Sequence, residues 1–270
     1  LHLGMYGAGL ATAIAYASCG LFILYFFISN KSELKIIPKN FGLDFSIVNE
    51  IVRLGGVSIA RQGTISILMI VLNYSLYKYG GEISISIFGI INRVMMFALF
   101  PIMGITQGFL PIAGYNYGAK KLQRVREAIN ISIKYSGILA LLIFTLIMLF
   151  AESFVGVFIS DKAIEANNIR DHIALLERTP NALRWVFAAT PVIVIQLIGC
   201  SYFQAIGKVT PALLLSLTKQ GFFLIPLILI LPTYFGVWGV WVSFPIADVC
   251  STLVTGYFLR RAIKHDLTKT

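Results

Sequence analysis

The chain has 270 residues, of which 57% are apolar and 13% charged, and its formal net charge is +10 at pH 7. A soluble domain carries roughly 25% charged residues, so this composition excludes an ordinary water-soluble globular fold. An excess of base can mark a nucleic-acid partner, but its distribution along the chain, taken up below, points to a membrane surface instead.

Seven apolar stretches fill most of the sequence, at 4–29, 54–79, 83–109, 131–150, 182–206, 211–231 and 236–259. Each is long enough to cross a hydrocarbon core of roughly 30 Å at about 1.5 Å rise per residue. Lipid cannot satisfy backbone donors and acceptors, and continuous apolar runs favour helices over the alternating pattern of a barrel strand. The expected fold is all-α, a polytopic membrane bundle of about seven transmembrane helices.

The first stretch opens on Leu3-Gly4-Met5-Tyr6-Gly7, and the seventh opens on Phe235-Gly236-Val237-Trp238-Gly239, the same pattern 232 residues later. Six helices separate the two starts, and the chain begins at Leu1 rather than at a methionine. The echo suggests a repeated architecture, and the start at Leu1 suggests that something upstream is missing. Residues 1–29 are then the last helix of a truncated amino-terminal lobe, 30–53 a cytoplasmic linker, and 54–270 a carboxyl-terminal six-helix lobe. Within the linker, Phe45, Val48 and Val52 recur at helical spacing, as in a short interfacial helix. Leu122, Val125 and Ile129 repeat that pattern after the third stretch, where Lys120, Lys121 and Arg124 can reach lipid phosphates. Residues 160–180 form the longest outer connection. There Ile164, Ile173 and Leu176 suggest a weak amphipathic helix that Pro180 stops.

If the helices alternate strictly, fifteen basic residues fall on one side, Lys219 among them, and five on the other. The positive-inside rule makes the fifteen-residue side cytoplasmic and places the carboxyl terminus there, in a multi-pass protein of the cell inner (plasma) membrane. The positive charge then records topology and contact with anionic membrane lipids, with no nucleic-acid partner.

Signals for catalysis are lacking. Cys19, Cys200 and Cys250 fall in separate apolar stretches, and His2, His172 and His265 are remote from one another, so neither metal nor catalytic residues are expected and the protein is not read as an enzyme. The third stretch and its exit hold a denser signal. Pro101 and Pro111 interrupt helical bonding, Gly104 and Gly108 form a small-xxx-small face for close helix approach, and Gln107 lies on that face. Gln107 either faces an aqueous cavity or bonds a neighbouring helix.

Ionisable groups inside a span cost roughly 2.5 to 3.5 kcal/mol at its centre, so each needs a reason. Asp248 is the one carboxylate deep in any stretch. It is a candidate to take up a proton or hold a cation, or else a structural acid for which Arg93 is the candidate partner. Arg61 lies near the cytoplasmic end of its stretch and can snorkel to the interface. Gln62, Asn73, Asn92, Arg93, Gln107, Gln196, Tyr202 and Gln204 are candidates to line a cavity or bind substrate, beside Met69, Met95 and Met96.

The blocks Gln107-Gly108, Pro111, Gly114-Tyr115-Asn116-Tyr117-Gly118-Ala119, Arg124-Val125, Tyr202-Phe203-Gln204-Ala205-Ile206-Gly207-Lys208 and Pro245-Ile246-Ala247-Asp248 stand in an order that resembles the multidrug and toxic compound extrusion (MATE) family of transporters. The resemblance implies the second six-helix lobe of a twelve-helix transporter, with a missing amino-terminal lobe as its partner. Some branches of the family hold a cation between a glutamate in the helix matching 54–79 and an aspartate in the helix matching 182–206. Here the first offers Gln62 and Asn73 and the second no acid, which departs from a sodium site in this lobe.

The expected function is secondary active efflux of drug-like, often cationic small molecules by alternating access, coupled to H+ or Na+ and needing no cofactor. A lipid-linked saccharide flippase of related architecture is the alternative, favoured if Arg61 and Arg93 both face the cavity. A seven-helix receptor fits the helix count but not the repeat.

Overall fold

The structure is a computed structural model that describes residues 4–29, 42, 44–158 and 169–266. Among these residues every regular element is a helix, and the chain divides into two units, Leu1–Val52 and Arg53–Thr270. Ile164 and residues 30–41 of the linker lie outside the described residues.

In the first unit α1 (Gly4–Ile28) is an uninterrupted apolar helix of 25 residues, about 37 Å long. The helical backbone resumes at Phe45, where the Asp44 carboxylate accepts the Ser46 N–H at 2.8 Å, an N-terminal cap. The interfacial helix expected around Phe45, Val48 and Val52 is thus the opening of a longer one, α2 (Phe45–Gly118), whose sole non-helical residue is Gly81 at φ 70 and ψ −170.

Gly81 makes α2 two legs. Ser75 Oγ donates to the Ile228 carbonyl at 3.3 Å, a methyl carbon on Gly80 would lie 2.8 Å from Val237 Cγ2, and the Phe88 and Phe244 rings stand 6.2 Å apart. Advancing through Gly81, the contacts pass from α7 (Ile225–Phe235) to α8 (Val237–Asp266), which reverse direction at Gly236, φ 59. The two legs of α2 therefore form a hairpin beside the α7–α8 hairpin, and both turns use a glycine at positive φ, where a side chain is strained. Among the described residues five helices are long and apolar enough to cross a membrane, and a bent pair adds a sixth. One of the five, Ile59–Gly118, has 60 residues, far more than one crossing needs, and its division at Gly81 gives the seven spans expected.

At the other end α2 runs past 109, through Pro111, to Gly118. Lys121 N–H bonds the Asn116 carbonyl and Lys120 N–H the Tyr117 carbonyl, with Lys120 itself at φ 57. This is a Schellman closure with lysine where glycine is usual. Next, α3 (Leu122–Phe158) starts at once, with Val125 and Ile129 fully buried. The separate interfacial helix expected over Leu122, Val125 and Ile129 is therefore the first turns of a span, because that face packs inward.

Pro180 does not stop a helix either: α4 (Ile169–Phe187) continues through it. The break falls at Ala188 and Ala189, where α4 meets α5 (Thr190–Ala205) at 47°. The ring of Pro191 conflicts with the carbonyl four residues back, that of Phe187, so the helix bends there. A second Schellman closure ends α5, Lys208 N–H to the Phe203 carbonyl and Gly207 N–H to Gln204, with Gly207 at φ 72. The sixth expected stretch is α6 (Val209–Leu217), a π-helical turn (Thr218–Leu224) and α7 in succession.

Around α5 and α8 the second unit builds its core. α5 packs on α3, α6 and α8, and α8 also meets α4, α7 and the π-helical turn. Tyr202, Phe109, Phe187, Leu183 and Ile198 are among its largest buried side chains.

Candidate coupling site

Val240, Trp241, Phe244, Ala247, Asp248, Ser251 and Thr255 recur at intervals of three and four along α8 and are all buried, so the inward face of that helix carries a carboxylate in an apolar seam. Lys219 Nζ lies 2.6 Å from Asp248 Oδ1, with the lysine side chain 19% exposed and the aspartate 6%. Each charge alone would be expensive in that seam, and the close pair offsets much of the cost.

The backbone delivers Lys219 by an unusual route. Pro226 has no N–H and its ring crowds the carbonyl four residues back, so regular α-bonding fails ahead of it. The chain widens by one residue, and Ile225 N–H reaches back to the Gln220 carbonyl across the π-helical turn. Gly221 presses this turn against α2, where a methyl carbon on it would lie 3.3 Å from Thr64 Cγ2. Pro245, three residues before Asp248, remains inside a continuous α8.

Two expectations are corrected here. Arg93 is not the partner of Asp248: it is exposed on α2, and the base at the carboxylate is Lys219. Nor does Lys219 belong to a cytoplasmic connector, because it sits inside the span Val209–Phe235. Fourteen basic residues are then left on the side expected to be cytoplasmic, still against five.

The remaining candidates do not converge. Gln62, Asn73, Arg93 and Gln107 are exposed on α2, Asn92 is half-buried there, and Gln204 is exposed near the end of α5. Arg93, Phe97, Phe100, Gly104, Gln107 and Pro111 follow one another at three- and four-residue steps, so the second leg of α2 presents them as one open face. Gln196 and Tyr202 stand inside the bundle instead. Tyr202 is 0% exposed with its ring 5.2 Å from that of Phe203, and Gln196 Oε1 is buried without a hydrogen-bond partner.

Gly104 and Gly108 meet open space, so the close helix approach expected of them is not made among the described residues, and the backbone stays helical through Pro101 and Pro111. Tight approaches occur elsewhere. A methyl carbon on Gly114 would lie 3.2 Å from the Ala205 carbonyl oxygen, which brings the Gly114–Ala119 and Tyr202–Lys208 blocks together where α2 and α5 end. Sequence reasoning also missed Arg184, whose Nε donates to the Met148 carbonyl at 3.3 Å beside the kink of α3 at Phe150. Arg184 also meets Asn181 Oδ1 at 3.3 Å and Glu152 at 3.5 Å. With Leu176, Glu177 and Pro180 these residues line an open cleft of about 360 Å³ that contains none of the candidates. Among the described residues no group of histidine, cysteine and acid side chains is placed to hold a metal.

The sequence model described as MatE matches residues 58–230. The multidrug export protein MepA of Staphylococcus haemolyticus is 27% identical over 272 residues, a match covering 99% of this chain and 56% of that protein. In structure, the MATE multidrug transporter DinF-BH superposes with a TM-score of 0.79 at 38% identity, over 97% of this chain and 56% of that one. An outward-facing multidrug resistance MATE family transporter of the MOP superfamily gives 0.86 at 25% identity, over 99% and 58%. The chain thus spans little more than half the length of the proteins it matches.

Proposed function

The chain belongs to the MatE family, and on that premise we propose that it is the carboxyl-terminal six-helix lobe, preceded by one helix, of a secondary active exporter of drug-like cationic compounds. The observation that carries this reading beyond family likeness is the Asp248 carboxyl held within the bundle 2.6 Å from Lys219 Nζ, since an ionisable pair inside a span is retained where ions or substrates move. Asp248 is the coupling group of this lobe, exchanging with H+ or Na+, and the two lobes alternate access about the open face of α2. The protein lies in the plasma membrane with its carboxyl terminus cytoplasmic, as the fourteen-to-five basic asymmetry supports.

Ethidium efflux from cells that carry the complete coding sequence, and lack other exporters, tests this. Efflux should stop when ionophores collapse the ion gradients, and Asp248→Asn should slow it at unchanged expression. Efflux that persists without gradients refutes secondary transport, and normal efflux by Asp248→Asn removes Asp248 from the coupling. Arg61 and Arg93 are both exposed on α2, and the second reading, the lipid-linked saccharide flippase, holds if both face the cavity. That reading gains if ethidium is not moved and replacing both arginines abolishes binding of an anionic lipid-linked sugar.

A further inference from the structure

Lys219 reaches Asp248 from a turn that can change its pitch. One residue in a helix is worth about 100° of rotation, so a one-residue shift in register within the turn that Pro226 already frees from α-bonding would swing Lys219 away from α8. Its side chain is 19% exposed and ends in a flexible four-carbon stem, so the ammonium can withdraw from the carboxylate without crossing the core. Asp248, at 6% exposed, has no such exit.

Among the described residues no second charge stands ready at the carboxylate. Of the elements packed on α8, α6 carries no titratable side chain, α7 only Tyr234, which is exposed, and α5 only Cys200 and Tyr202, uncharged near neutral pH. From α4, Arg184 is engaged with Glu152 while Glu177 and Arg178 are exposed, and α2 contributes Arg61, Lys78, Glu82 and Arg93, all exposed. When Lys219 leaves, a carboxylate so buried must be neutralised from outside. A sodium ion needs several oxygen ligands gathered around the carboxylate, whereas a proton needs one oxygen.

We propose that Lys219 is a tethered competitor for Asp248: its ammonium holds the ionised carboxylate in the closed form, and a proton taken up by the carboxylate releases it. In the exchange the proton comes from solvent to Asp248 Oδ1, and Lys219 keeps its own three. The site passes from a neutral pair to a neutral acid and a withdrawn ammonium. The π-helical turn then shifts against Thr64 on the first leg of α2, where Gly221 lets the two backbones slide. This assigns H+ as the ion at Asp248 and Lys219 as its positioning residue, and it rests on the exporter reading above.

The test uses the complete protein in proteoliposomes, with ethidium transport and the accompanying proton movement followed together by ethidium fluorescence and a pH-sensitive dye. Lys219→Met and Asp248→Asn each leave one charge buried, so the double variant K219M/D248N, which removes both, is the decisive one for folding. The double variant should purify with wild-type thermal stability and lose ethidium-driven proton movement. Proton movement equal to wild type in the double variant makes the pair a structural strut and overturns the proposal while the exporter reading stands. A wild-type protein that exports ethidium with sodium and moves no protons also overturns the proposal alone. If the wild type moves no ethidium at all, the exporter reading falls and takes this one with it.

Discussion

Gly199 brings α5 so close to α8 that a methyl carbon placed on it would lie 2.5 Å from Thr255 Cγ2. Carbon atoms in contact need about 3.5 to 4.0 Å, so Gly199→Ala must open the crossing by about 1 Å or turn the threonine. Thr255 is 0% exposed, which leaves it nowhere to turn. Overpacking of this size costs about 1 to 3 kcal/mol, while alanine in place of glycine regains about 1 kcal/mol of helix propensity. Thr255→Ser alone removes one buried methyl and loses about 1 kcal/mol. In the double variant the alanine methyl takes the space the threonine methyl vacated, so stability should return to the wild-type level or slightly above it. The cycle therefore carries a favourable coupling of about 1 to 3 kcal/mol. Thermal unfolding of the detergent-purified protein reads this as single variants falling by a few degrees and a double variant that does not, at roughly 2 to 4 °C per kcal/mol. A double variant that falls by the sum of the two singles refutes the crossing geometry.

Gly239 is tighter still, since an added methyl carbon would lie 2.5 Å from the Leu231 carbonyl carbon and 2.7 Å from Pro232 N. Both are backbone, so Gly239→Ala should lower the apparent Tm more than Gly199→Ala does, and Thr255→Ser should not restore it. Lys120→Gly should raise the Tm, because lysine at φ 57 costs about 1 kcal/mol that glycine avoids; an unchanged or lower Tm argues against the closure at that turn. Arg184→Met should cost about 1 to 2 kcal/mol by orphaning the Met148 carbonyl at the kink of α3. Glu152→Gln, at a side chain 78% exposed, should cost under about 1 kcal/mol, and equal losses from the two would mean that the ion pair rather than the carbonyl bond matters.

What the sequence made legible follows from which physical rule acts over which distance. Spans are set by runs of some twenty residues, so hydropathy found all seven, although α2 runs on to Gly118, α3 covers Leu122–Phe158 and the fifth span reaches back through α4, and the Gly80-Gly81 and Gly236 breaks were visible as gaps in those runs. Local punctuation was read less well. Pro180 promises a helix end, yet Thr179 and Pro180 are buried and packing carries α4 past them, while Pro191, placed at an apolar stretch where no break was expected, makes the bend. The charged Lys120, Lys121 and Arg124 masked the inward face of Val125 and Ile129, because amphipathicity shows that one side is apolar but not whether lipid or protein covers it. Gly104 and Gly108 illustrate the same gap. A small-xxx-small spacing permits close approach and cannot say which helix arrives, and within this chain the approach is made at Gly114.

The pairing of Lys219 with Asp248 failed to show for a different reason. A positive-inside count that gives each connector base a side of the membrane takes Lys219 out of the interior, and Arg93 is then the base left inside a span to face Asp248. Yet the residues around Lys219 carried a correction: it stands seven residues before Pro226 and two before Gly221, inside an apolar run that continues on both sides. A base so placed is either stranded at a cost of several kcal/mol or matched by an acid from another span. Asp248 is the one acid deep in the spans, so charge balance alone pairs the two across 29 residues of sequence. The proline supplies the rest, since a span that must break its bonding pattern near Pro226 has freedom to aim a long side chain where a regular helix would not.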